Sequence, residues 1–140
     1  MTINEIQDGI IDEFSLFDDW MDKYSYLIEL GNDIALIDEK YKTDEYIIKG
    51  CQSNVWLHAE YNEGIITFTA DSNAILTKGM TALVTKVLSG HTPDEILNAD
   101  LYFVKAIGLD QHLSPTRANG LTSMIKQIKL YAMAYKAKNS

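Results

Sequence analysis

The one thiol of this chain is Cys51, in the run Lys49-Gly50-Cys51-Gln52-Ser53. A lone thiol can act as a nucleophile or as a carrier. It cannot hold zinc or an iron–sulfur cluster by itself, because those need three or four ligands. The histidines do not supply them: His58, His91 and His112 lie 33 and 21 residues apart, with no pair one helical turn apart. A free cysteine is commonly a small buried hydrophobe. Here three features point the other way. The flanks are polar, Gly50 lets the backbone take special angles, and the position reads as a loop tip just before a strand. Lys49 could lower the thiol pKa if its side chain lies close.

A second candidate is Leu109-Asp110-Gln111-His112-Leu113-Ser114-Pro115-Thr116-Arg117. Ser114 and Pro115 read as a cap and first turn of the last helix. Arg117 is then a cation in a first turn, where the helix dipole disfavours positive charge. It either pairs with a carboxylate, locally or on a partner, or lies exposed. Asp71-Ser72-Asn73 reads as a cap cluster for a third helix. Gly79 inside that helix costs about 1 kcal/mol relative to alanine, so another backbone segment is expected close to it, with the cysteine loop a candidate.

These residues need elements to hold them. Thr2 and Glu5 have capping-box spacing, and Ile3, Ile6, Ile10 and Phe14 share a helical face. Asp18 or Asp19 caps a second helix that carries Trp20, Tyr24, Leu27 and Ile28 inward and ends with Gly31 just past its C-terminus. Residues 32–45 are polar and irregular, with a short helix expected around Ile34–Ile37. Val55, Leu57, Ala59 and Tyr61 alternate with Trp56, His58 and Glu60, the period of a strand with two different faces, His58 on the wetter one. Asn62-Glu63-Gly64 is a hairpin signal, and Ile65–Ala70 returns as a second strand. Tyr46–Ile48 is a third strand or an extended approach to the first.

Helices follow. Leu76, Met80, Leu83, Val84, Val87 and Leu88 form an apolar stripe ending at Gly90. His91, expected to be exposed, precedes a strong start signal in Thr92-Pro93-Asp94-Glu95. The last helix buries Leu121, Met124 or Ile125, Ile128, Ala132 and Tyr135, and turns Lys126, Lys129 and Lys136 to water. The order predicts an α+β fold, a small antiparallel sheet packed on one face by helices.

Composition narrows the function. At 140 residues the chain fits one domain spanning 1–140. That length buries about 68–70% of the unfolded surface, enough for a core without staples. One cysteine excludes the disulfide-rich secreted class. The net charge of −8 and pI near 4.7 give no basic face for nucleic acid. Residues 1–50 hold thirteen acids and four lysines, a solvated face or an acidic docking surface. No signal peptide or apolar span stands out, so neither a membrane nor an extracellular site is expected, and the cytoplasm is the default.

Four segments together resemble the SufE family of sulfur-acceptor proteins. Gly50-Cys51-Gln52-Ser53-Asn54-Val55-Trp56 looks like that family's signature loop. Trp20…Lys23-Tyr24…Tyr26-Leu27-Ile28-Glu29-Leu30-Gly31 resembles its second helix, and Asp71-Ser72…Ala74…Lys78-Gly79 its segment after the sheet. Leu109…Gln111-His112-Leu113-Ser114-Pro115-Thr116-Arg117…Gly120-Leu121 resembles the start of its last helix. The resemblance implies a fold shared with U-type cluster scaffolds. It implies a non-enzymatic accessory protein, a monomer or weak homodimer, that takes sulfur from the persulfide of a SufS-type cysteine desulfurase onto Cys51. The sulfur would pass to a SufB-containing scaffold that builds iron–sulfur clusters. Pyridoxal phosphate belongs to the desulfurase, and no cofactor or metal is expected on this chain. Gly50, Gln52, Ser53, Asp71, Ser72 and Gly79 would shape the loop and its pocket, and His112 and Arg117 would face the partner. A cysteine-dependent hydrolase or transferase, and a non-catalytic module that activates a desulfurase, stay open as alternatives.

Overall fold

In a computed structural model, which describes residues 1–139, seven helices surround a two-stranded sheet. Helix α1 spans Ile3–Phe14 and opens with the expected capping box between Thr2 and Glu5. Helix α2 spans Trp20–Gly31, with the Asp19 side chain accepting the Asp22 N–H at 2.8 Å. Strands β1 (Val55–Asn62) and β2 (Ile65–Ser72) pair antiparallel, with Val55 opposite Ser72 and Asn62 opposite Ile65. Glu63 and Gly64 both take positive φ, 53° and 83°, as a tight hairpin turn that matches the twist of the strands requires. Helices α3 (Ile75–Leu88), α4 (Pro93–Asn98), α5 (Phe103–Ala106), α6 (Leu109–His112) and α7 (Pro115–Lys138) follow.

The alternation in β1 and β2 decides which face is dry. Val55, Leu57, Ala59, Ile66, Phe68 and Ala70 are buried together with residues of α1, α2, α3 and α7 in one core. The other face is less wet than its sequence suggests. The segment before β1 folds over it as two 3₁₀ turns, Glu39–Tyr41 and Asp44–Tyr46. Tyr41 stacks on His58 at 3.7 Å between centroids, and Tyr46 meets both rings edge-on.

Several expectations change. Residues 34–37 form no helix; Leu36 makes a parallel bridge to Ala70, and Ile37 N–H donates to the Ala70 carbonyl. Ile47 and Ile48 are the extended approach to β1, paired only at Trp56 and Val55. Gly31 is the last residue of α2 and packs against the backbone of α3, where an added Cβ would stand 3.1 Å from the Gly79 nitrogen. Ile28 faces outward, because Leu27 occupies the core side of that turn. His91 is buried between the Ser89 and Met1 carbonyls, 3.0 and 3.1 Å from its two ring nitrogens. Lys129 is half-buried and reaches the Ala99 carbonyl at 2.8 Å, whereas Lys136 faces water as expected and pairs there with Asp94.

Candidate functional site

Residues 49–54 form the crown of a hairpin whose base is the hydrogen bond from Ile48 N–H to the Val55 carbonyl, 2.8 Å. Two sides hold the crown. On the β2 side, Ser72 Oγ donates to the Asn54 carbonyl at 2.9 Å, and Asn54 N–H donates to Asn73 Oδ1 at 3.1 Å. On the α7 side, Gly50 takes φ +93°, and a Cβ there would meet Ser123 Oγ at 2.5 Å. The positive φ is what favours glycine here, since the Ser123 hydroxyl can turn aside. Gly50→Ala adds about 1–2 kcal/mol of backbone strain to the docked loop. The expected outcome is alkylation of Cys51 faster by roughly tenfold, read by iodoacetamide quenching; an unchanged rate would show that the loop absorbs the methyl group in place.

The thiol is half-buried and points at α7, with Sγ 3.6 Å from the Gly120 carbonyl. Burial alone pushes its pKa up. Lys49 is exposed and does not counter that shift, which corrects the expected electrostatic help. The resting group is therefore a protonated thiol at neutral pH. Its alkylation rate should rise through a midpoint above the ordinary thiol value of about 8.5, with a midpoint at or below that value counting against burial as the cause.

Behind Cys51 lies a cavity of about 330 Å³. Gln52 and Ser53 line it from the loop, Thr77 and Met80 from α3, and Thr116, Arg117, Gly120 and Met124 from α7. The Met124 sulfur accepts from Thr81 Oγ1 at 3.3 Å. Loop and last helix thus meet, as two of the sequence segments suggested. His112 does not line the cavity: it stacks on Trp20 at 4.0 Å and its Nδ1 lies 3.0 Å from the Gly108 carbonyl. With His58 under Tyr41 and His91 between two carbonyls, none of the three histidines lines the cavity.

Asp71 and Ser72 stand behind the loop rather than in it. The sequence reads them as helix caps, yet the N-cap of α3 is Ala74, and only the Ser72 Oγ reaches it, accepting Ala74 N–H at 3.3 Å. Asp71 instead binds Lys42 Nζ at 2.6 Å and Lys78 Nζ at 3.4 Å. It thereby joins the 3₁₀ segment, β2 and α3. Burial alone would raise its pKa, but the hydrogen bonds from Lys42 and the Ser72 N–H, with the charge of Lys78, outweigh that and hold it low. Because the folded value lies below the unfolded one, Asp71 contributes stability above the ordinary carboxyl range and loses it as pH falls through the folded value. Asp71→Asn should lower stability at neutral pH by about 1–2 kcal/mol and flatten the acid limb of a denaturation-versus-pH curve. An acid limb identical to that of the native protein would refute this.

Gly79 is not at the cysteine loop. It meets α2, where an added Cβ would overlap the Leu27 carbonyl oxygen and stand 2.9 Å from its carbon. Gly120 is the glycine that faces the thiol, its Cβ direction ending 3.6 Å from Sγ. Gly120 stands in the fourth resemblance segment without an expected role, although a glycine inside a helix carries the same signal that singled out Gly79.

Comparison with known proteins settles the lineage. Residues 8–132 match the SufE family, described as an Fe–S metabolism associated domain. The chain belongs to the SufE family. An uncharacterized SufE-like protein of Rhizobium meliloti is 42% identical over 127 residues, covering 87% of this chain and 91% of that one. The solution structure of a hypothetical protein from Thermus thermophilus superposes with a TM-score of 0.76 at 18% identity, covering 96% of this chain and 97% of that one. That likeness is one of fold. In this SufE-family chain no helix among the described residues is long and apolar enough to cross a membrane. Among the same residues, no three His, Cys, Asp or Glu side chains come together as a metal site.

Proposed function

We propose that this SufE-family protein carries sulfur for iron–sulfur cluster assembly on Cys51. It accepts the outer sulfur from the persulfide of a SufS-type cysteine desulfurase and stimulates that enzyme. It then delivers the sulfur to a SufB-containing scaffold. The supporting observation is the placement of the one thiol of the chain, on a hairpin crown at the mouth of a cavity. The chain acts as an accessory protein rather than an enzyme, in the cytoplasm, as a monomer or weak homodimer. Pyridoxal phosphate stays on the desulfurase, and the carrier holds no cofactor of its own.

The chemistry is a displacement. The Cys51 thiolate attacks the outer sulfur of the donor persulfide, a new S–S bond forms, and the donor cysteine leaves as thiolate. The proton of Cys51 must go first, and burial opposes its loss. Docking of the desulfurase therefore has to expose the loop or supply a base. Between transfers the cavity shelters the persulfide from stray thiols and oxidants. Arg117 is exposed beside the loop at the cavity rim, where a partner carboxylate can reach it. His112 lies on the neighbouring α6 surface and is the weaker contact.

Intact-mass measurement after incubation with desulfurase and free cysteine tests the reading. The expected result is a gain of one sulfur that a reductant removes. No gain, with a desulfurase that is active on its own, overturns it.

A further inference from the structure

Helix α3 carries Thr77, Thr81 and Thr85 four residues apart, and therefore on one face. All three are buried. Thr81 Oγ1 donates to the Thr77 carbonyl at 2.8 Å, and Thr85 Oγ1 to the Thr81 carbonyl at 2.9 Å. Thr77 has no such outlet. Four residues before it stands Asn73, ahead of the helix, and the Thr77 hydroxyl bonds nothing among the described residues. It is not sealed in either. Trp20 Nε1 is the one sealed side-chain polar atom without a partner among those residues. The unpaired Thr77 oxygen therefore meets open space. Thr77 is only 8% exposed and lines the Cys51 cavity, so that space is the cavity. One turn further on, the same face of α3 meets the α7 wall of the cavity, where Thr81 Oγ1 touches Met124 Sδ.

The remaining walls leave one task for such a hydroxyl. Cys51 Sγ lies 3.6 Å from the Gly120 carbonyl, an acceptor that suits a protonated thiol and repels an anion. Leu76, Met80 and Met124 are apolar. Arg117 is the one other ionisable group in the lining, and it is exposed at the rim. A persulfide places a second sulfur beyond Sγ, and that outer sulfur carries the charge when the group ionises. A charge away from water needs a donor. We infer that the Thr77 hydroxyl is this donor and holds the outer sulfur of the Cys51 persulfide inside the cavity. The inference rests on Cys51 carrying a persulfide and names the group that retains it. The bond exists only in the loaded protein, since the empty cavity gives the hydroxyl nothing to bind.

The test loads Cys51 with inorganic polysulfide, removes the excess, and follows iodoacetamide alkylation of the outer sulfur against pH by intact mass. The same profile is taken for the unloaded thiol. Thr77→Val keeps the β-branched shape and removes the hydroxyl. It should raise the alkylation midpoint of the loaded protein by about one pH unit, the tenfold effect of one hydrogen bond to a charged group. The midpoint of the unloaded thiol should stay in place. Thr77→Ser keeps a hydroxyl and should restore the native profile. The hydroxyl bonds nothing in the empty protein, so its loss should leave the fold intact, and Thr77→Ala provides a second removal. Equal midpoints in the loaded native and Thr77→Val proteins overturn the inference. So does an equal shift in the unloaded thiol, which a general change of polarity would produce. Polysulfide bypasses the desulfurase, which separates the two readings. Failure of desulfurase loading alone removes the carrier role, and absence of the hydroxyl effect alone removes this one. A Cys51 that takes no sulfur from polysulfide overturns this inference and leaves the desulfurase test to decide the other.

Discussion

Cys51→Ala protein is expected to gain no sulfur from a desulfurase and free cysteine, under conditions in which the native chain gains one. No second thiol exists to take over, so the loss should be complete rather than partial. The fold should hardly notice. The substitution removes one half-buried sulfur whose contact to the Gly120 carbonyl is long, 3.6 Å, and weak. A change in unfolding free energy within about 1 kcal/mol is expected. The same variant separates the competing activities. If it still stimulates a desulfurase fully, the protein acts as an activating module and the carrier reading fails. A hydrolase or transferase would instead leave a covalent adduct on Cys51 with no desulfurase present and would depend on a histidine. The cavity offers no histidine for that work.

Gly79→Ala should be the most damaging single methyl group in the protein. Helices α2 and α3 cross with Gly31 and Gly79 facing each other's backbone. A Cβ on Gly79 overlaps the Leu27 carbonyl oxygen, and a backbone atom cannot turn aside as a flexible side chain can. The helices must separate, and separation loosens Leu27, Met80 and Leu83, each 1% exposed in the core. Overpacking of this kind costs about 3 kcal/mol, which lowers the melting temperature by roughly 10 °C in a protein of this size. Gly31→Ala should cost less, since its nearest contact is 3.1 Å. Thermal unfolding by circular dichroism decides the matter, and a melting temperature unchanged in Gly79→Ala would show that α2 and α3 are not locked at this crossing.

Much of the fold is legible in local chemistry. The capping boxes at Thr2 and Thr92, the Asp19 cap, the Glu63-Gly64 turn and the Ser114-Pro115 helix start all form as their spacing predicts. Each depends on atoms within a few residues of one another. The errors fall where distant partners intervene. Gln7, a polar residue of α1 with no expected role, is fully buried and bonds the Asp100 carbonyl and the Phe103 N–H. It thereby holds a stretch in which no pattern is readable. His91 reads as exposed and is covered because Met1 folds back on it. Asp71 reads as a cap and becomes an ionic hub because Lys42 arrives from another segment.

For the site, the sequence by itself determined that one thiol follows a glycine on a loop before a strand, and that four motifs stand in the order found in the SufE family. It could not determine how deep that thiol sits. Depth depends on α7 crossing the loop so closely that Gly120 lies against Sγ and Ser123 against Gly50. Only the tertiary structure brought Arg117 to the cavity, left His112 on Trp20, and moved Gly79 away from the loop to the α2–α3 crossing. The physical reason is one of range. Caps and turns are short hydrogen bonds between near neighbours, and a sequence displays them directly. A thiol's burial, and therefore its pKa, is set by whichever distant helix excludes water from it, and that partner is chosen by the packing of the whole core.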